Sequence, residues 1–133
     1  MTRFFRPLSP MPHARTRRTP GTLNSTEQGY QDFLAARLQA GDLAWFGFEA
    51  IKLRLADLTF YTPDFVVITS EGFIEVHEVK GHWEDDARVK FKVAARLFPW
   101  AEFVAVKKRA KRDGGGFVEV ERIASGLPEA AVA

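Results

Sequence analysis

The sequence predicts an α/β domain in which helices flank one mixed β-sheet. Three observations predict it. A helical apolar period covers about 26–40, strand-like segments around one hairpin turn fill 44–80, and a second helical segment at 85–98 is followed by another strand. The order is helix, about three strands, helix, strand, which argues for an α/β or α+β sandwich around one mixed sheet.

Residues 1–23 read as a flexible arm. They carry Pro7, Pro10, Pro12 and Pro20 with scattered arginines and no sustained period. The first helix is predicted from about Thr26 to Ala40. Asn24, Ser25 and Thr26 offer an N-cap, and Gly41 suits the C-terminal stop. At about 100° per residue, Tyr30, Leu34 and Leu38 form one stripe with Phe33 on its flank, and Glu27 falls on the same stripe.

Ala44–Phe48 is apolar and aromatic, and Ile51, Leu53 and Leu55 alternate with Lys52 and Arg54 as on a half-buried strand. Thr59–Tyr61 is expected to begin a strand that continues through Phe65–Thr69. Ser70-Glu71-Gly72 makes a hairpin turn, and Phe73–Lys80 returns. A second helix is expected from about Asp85 to Phe98, stopped by Pro99. Phe103–Val106 is a short strand. Gly114-Gly115-Gly116 is a flexible connection, and Phe117–Ile123 alternates as an edge strand or hairpin partner does. The reading divides the chain into an arm at 1–23, a domain at 24–124 and a tail at 125–133.

A chain of 133 residues with 46% apolar content suits one domain with one core. With no cysteine, disulfides and thiolate metal sites are excluded. That composition suits a reducing, cytoplasmic setting. No apolar run approaches the roughly 20 residues of a membrane span, and the arginine-bearing start has no apolar segment of secretory type. No His/His/acid spacing supports zinc.

Formal net charge is only +2, but its distribution is uneven. Arg3, Arg6, Arg15, Arg17 and Arg18 precede the first acid, Glu27, and Lys107, Lys108, Arg109, Lys111 and Arg112 form a second cluster. Either block alone reads as solubilising charge; two blocks around an acidic centre point to a polyanion.

The acidic centre carries the chemistry. Side chains at i and i+2 of a strand share a face, so Glu78 and Lys80 point the same way. Ile74 and Val76 share that face and are expected to be buried, which argues against a solvated surface pair. Glu75 and His77 belong to the opposite face. Asp64 and Glu78 flank the hairpin turn almost symmetrically, so folding the hairpin can bring them together. Two carboxylates at close range repel unless a cation intervenes. Lys80 supplies one positive charge, and Mg²⁺, a hard ion that takes carboxylate oxygens, water and phosphate oxygens, would supply more.

Pro63-Asp64, thirteen residues, then Glu78-Val79-Lys80 resembles the PD-(D/E)XK nuclease superfamily, with its restriction-endonuclease-like fold of a mixed central sheet flanked by helices. The text from Phe48-Glu49-Ala50-Ile51 through Tyr61-Thr62-Pro63-Asp64-Phe65 to Glu78-Val79-Lys80-Gly81 looks like small phage endonucleases related to Holliday-junction resolvases. The resemblance covers about residues 24–107. It implies Asp64 and Glu78 as metal ligands, with the Val79 carbonyl beside them. It also implies Lys80 as catalytic lysine, Mg²⁺ with Mn²⁺ able to substitute, and 5′-phosphate and 3′-hydroxyl products. The superfamily often adds a glutamate from the first helix, and Glu27 matches; a first-turn carboxylate is also what a capping box needs. Glu49 is a weaker candidate.

On the second helix Arg88, Lys92 and Arg96 form a basic stripe. Lys90 falls in the apolar sector, where its stem can cover the core or its head can reach a phosphate. His82 and Trp83 follow the catalytic strand; packing is the commoner fate of such a tryptophan, and base stacking the other. Arg15, Arg17, Arg18, Arg88, Lys90, Lys92 and the 107–112 cluster are the expected DNA contacts. The expectation is an Mg²⁺-dependent endonuclease for branched or Holliday-junction DNA, acting as a homodimer if it makes two symmetric cuts. Its rivals are a transposase- or repair-related nuclease on other DNA, and an inactive DNA-binding module.

Overall fold

The computed structural model describes residues 21–81 and 85–127. His82, Trp83 and the arm residues Arg15, Arg17 and Arg18 lie outside the described residues. Helix α1 spans Ser25–Gln39, capped by Asn24, whose side chain accepts from the Glu27 N–H while the Glu27 carboxylate accepts from the Asn24 N–H. This reciprocal pair satisfies two orphan donors of the first turn. At the other end Gly41, at φ +86°, takes the left-handed conformation that turns the chain into the sheet.

The strands are β1 (Leu43–Phe48), β2 (Leu53–Ala56), β3 (Thr59–Tyr61), β4 (Phe65–Thr69), β5 (Ile74–Lys80), β6 (Glu102–Lys108) and β7 (Phe117–Ile123), with helix α2 at Asp85–Leu97 between β5 and β6. A mixed five-stranded sheet runs β1-β4-β5-β6-β7, and β2 and β3 form a separate antiparallel pair. All contacts in the large sheet are antiparallel except β5–β6. A parallel pair needs a long crossover, and α2 is that crossover. The architecture is α/β.

Residues of the middle strands alternate between two cores. Phe65, Val67, Val104 and Val106 pack with Tyr30 and Leu34 of α1. Val76, Phe103 and Ala105 pack with Phe91, Ala94 and Ala95 of α2. Period-two alternation sends these sets to opposite faces, so α1 and α2 sandwich the sheet. Tyr30 and Leu34 of the predicted α1 stripe are fully buried, whereas Leu38 is partly exposed.

Two elements differ from the sequence-based expectation. Thr59–Tyr61 does not run on into β4. Pro63 intervenes without an N–H to donate, so the chain breaks there and β3 pairs with β2 instead. The β2–β3 pair presents Leu53 and Tyr61 to the α2 core. The second difference is β6, longer than predicted because Lys107 and Lys108 continue the ladder with Val118 and Phe117 of β7. At the margins of the expected domain, Leu23 packs against the α1 core, and Ser125 and Gly126 hydrogen-bond to the Pro99 carbonyl.

Candidate active site

The β4–β5 ladder pairs Val66 with Val76 and Phe65 with His77, so one further step places Asp64 opposite Glu78. Beyond the last paired residue of β4, the Asp64 side chain takes over: its Oδ2 accepts the Val79 N–H at 2.8 Å. Glu78 in turn accepts a backbone hydrogen bond from Asp64. The two strands are thus held together through the carboxylates themselves. Lys80, one pleat beyond Glu78 on the same face, brings its Nζ to 3.9 Å from Glu78 Oε1 and is only 5% exposed. Asp64, Glu78 and Lys80 therefore converge, as their spacing around the hairpin leads one to expect.

The electrostatics of Glu78 are a contest. Burial pushes its carboxyl above the usual carboxylate range. A hydrogen bond from Tyr61, the Lys80 charge and the Asp64 backbone pull it back, while the negative charge of Glu27 pushes it further up. The Tyr61 hydroxyl donates to Glu78 Oε2 at 2.7 Å. Burial, and then the negative charge of Glu78, raise the phenol far above its ordinary value, so Tyr61 remains a donor.

Glu27 takes up the capping role and lies within electrostatic reach of Glu78. Its carboxylate completes the capping box and is 4% exposed, and its charge is felt at Glu78. Among the described residues, no group of three or more His, Asp and Glu side chains is spaced to hold a metal by itself. The pair Asp64–Glu78 offers hard oxygen donors only, the chemistry that suits Mg²⁺, which characteristically takes one or two carboxylates and keeps water and phosphate oxygens for the rest. Glu49 sits in a left-handed turn at φ +46°, its N–H donating to the Asp64 carbonyl and its carboxylate accepting from Gly21.

Among the basic candidates, Lys107 is paired in register with Lys80 on the parallel neighbour, so both point to one face, and Lys107 is exposed there. Lys90 is half-buried and donates from Nζ to the Phe60 carbonyl at 3.3 Å, next to Tyr61. Arg88 and Lys92 are exposed on α2. Lys108, Arg109, Lys111 and Arg112 are exposed around the turn that leads into β7, where Arg109 Nε also fastens the loop to the Gly115 carbonyl.

Two features escape sequence reasoning. One is Tyr61. The other lies on the opposite face of β5, where alternation correctly placed Glu75 and His77 but could not name their partners. Tyr30 Oη lies 2.5 Å from His77 Nδ1, and His77 Nε2 lies 2.7 Å from Glu75 Oε1. Glu75, held below the usual carboxylate range, only accepts, so Nε2–H donates to it; in the neutral imidazole Nδ1 is then the acceptor for the Tyr30 hydroxyl. Arg122 of β7 closes the chain against Glu75 at 3.5 Å and Glu102 at 2.9 Å.

No protein-family profile matches the chain, and no curated protein matches it. Among the described residues, no helix is long and apolar enough to cross a membrane.

Proposed function

We propose that this chain is an Mg²⁺-dependent DNA endonuclease of the PD-(D/E)XK type, with a restriction-endonuclease-like fold, acting on branched or junction DNA. One observation carries the reading: Asp64, Glu78 and Lys80 meet on one face where the β4–β5 hairpin opens, with the ammonium buried against the Glu78 carboxylate. Mg²⁺ bound by Asp64, Glu78 and the Val79 carbonyl would polarise the phosphodiester and lower the pKa of an attacking water. Lys80 orients that water or offsets charge developing on phosphorus. Glu27 adds negative potential beside Glu78. Lys107, on the face of Lys80, is placed to hold a flanking phosphate, with Arg88 and Lys92 of α2 and the turn residues Lys108, Arg109, Lys111 and Arg112 as further backbone contacts. Backbone phosphate contacts of this kind favour recognition of DNA shape, and two symmetric cuts at a junction favour a homodimer.

The test is cleavage of a panel of four-way junctions, flaps and linear duplex in Mg²⁺ or Mn²⁺. Lys80→Ala is expected to lower the cleavage rate at least about a hundredfold, as loss of a transition-state donor does, and to leave junction binding intact. Equal loss of binding and cleavage would contradict the role given to Lys80, and binding by the wild-type chain without any cleavage would make it a binding module.

A further inference from the structure

The β2–β3 pair is not part of the central sheet, yet it reaches the candidate active site through one side chain. Tyr61, at the end of β3, is 6% exposed and donates to Glu78 Oε2, the oxygen other than the one that faces Lys80. The pair is fastened from both sides. Leu53 and Tyr61 pack into the α2 core, the Lys90 ammonium of α2 donates to the Phe60 carbonyl, and the Lys52 ammonium stands 4.4 Å from the Phe60 ring centroid. The hydroxyl therefore arrives at Glu78 from a fixed mount, and toward a carboxylate, which only accepts, it is the donor.

A glutamate side chain has three rotatable bonds, and freezing them costs free energy each time a ligand is bound. A donor that already holds one carboxylate oxygen removes that cost in advance. Partners of this kind, one shell out from a metal ligand, are worth about 10- to 100-fold in metal affinity.

We propose that Tyr61 is a positioning residue for the metal: its hydroxyl holds the Glu78 carboxylate with Oε1 turned toward Lys80 and toward the ion shared with Asp64. The inference rests on the nuclease reading of the site. It assigns the β2–β3 pair a task in preorganising the centre, beyond filling the α2 core.

The experiment titrates Mn²⁺ at fixed pH without DNA, read by water-proton relaxation or calorimetry. It uses the full chain and the variants Tyr61→Phe, Leu55→Ala and Asp64→Asn. Tyr61→Phe keeps the ring in the core and removes only the donor. Its Mn²⁺ dissociation constant is expected to rise about tenfold or more. Leu55→Ala loosens the packing of the same strand pair against the α2 core without touching Glu78, and its affinity is expected to match wild type. Unchanged affinity in Tyr61→Phe overturns the proposal while the nuclease reading stands, provided wild type binds Mn²⁺ and Asp64→Asn does not. Equal weakening by Tyr61→Phe and Leu55→Ala also overturns it, since general loosening would then explain both. A wild-type chain that takes up no Mn²⁺ overturns this proposal and the metal reading together.

Discussion

Tyr30→Phe isolates one hydrogen bond in the centre of the α1 core. Tyr30 is 1% exposed and His77 2%. The phenylalanine ring can keep the edge-on contacts to Phe65, at 5.4 Å between centroids, and to Phe117, at 5.0 Å, so no cavity forms. What remains is His77 without its donor. In the present tautomer Nδ1 becomes a buried acceptor with no partner. In the other tautomer Nδ1–H is an orphan donor, and Nε2 can no longer donate to Glu75. Either way one polar atom is buried and unmatched, at a cost of about 1–3 kcal/mol. With a urea m-value of roughly 1–3 kcal/mol/M for a domain of this size, the midpoint should fall by on the order of 1 M with m unchanged. A double-mutant cycle with His77→Phe should give a coupling energy between about 0.5 and 3 kcal/mol. A midpoint within error of wild type, or no coupling in the cycle, would refute the argument that this contact secures α1 to β5.

Glu75 is held below the usual carboxylate range, first by the hydrogen bond from His77 and further by the charge of Arg122, against the opposing effect of burial. A carboxyl whose folded pKa is depressed adds stability above its unfolded value, and that contribution is lost as pH falls through the folded value. Glu75→Gln should therefore lower the urea midpoint at neutral pH, with the gap to wild type closing in acid below the ordinary carboxylate range near about 4; a gap constant with pH would argue against the charge as its source. Lys107→Ala should weaken junction binding and reduce the slope of log affinity against log salt by about 0.9, one phosphate contact. An unchanged slope would remove Lys107 from the DNA contacts.

The sequence made faces legible and left partners hidden. Alternation along 74–80 assigned Glu78 and Lys80 to one side and Glu75 and His77 to the other because the period of a strand is fixed by backbone geometry. Symmetry about the Gly72 turn then brought Asp64 opposite Glu78. Tyr61 was missed for a local reason: the expected strand ran through Pro63, which would have made Tyr61 one more sheet residue. Lys107 was read as part of a charge cluster because β6 was expected to stop at Val106, and its place beside Lys80 needed the parallel register. Tyr30 and His77 are 47 positions apart, and no period links residues on different elements. Once the partners are known, the polar residues of β5 make sense together. On the proposed reading β5 carries metal ligands on one face, and such a strand must not slide or tilt, because a small displacement of the carboxylates would be felt directly by the chemistry. On its other face β5 carries Glu75 and His77, tied to α1 through Tyr30 and to β7 through Arg122. These directional contacts fix the strand along its length in a way apolar packing does not, since apolar contacts tolerate sliding and hydrogen bonds do not. The buried histidine one residue before Glu78 is, on this argument, a fastening for the site on the far side of the same strand.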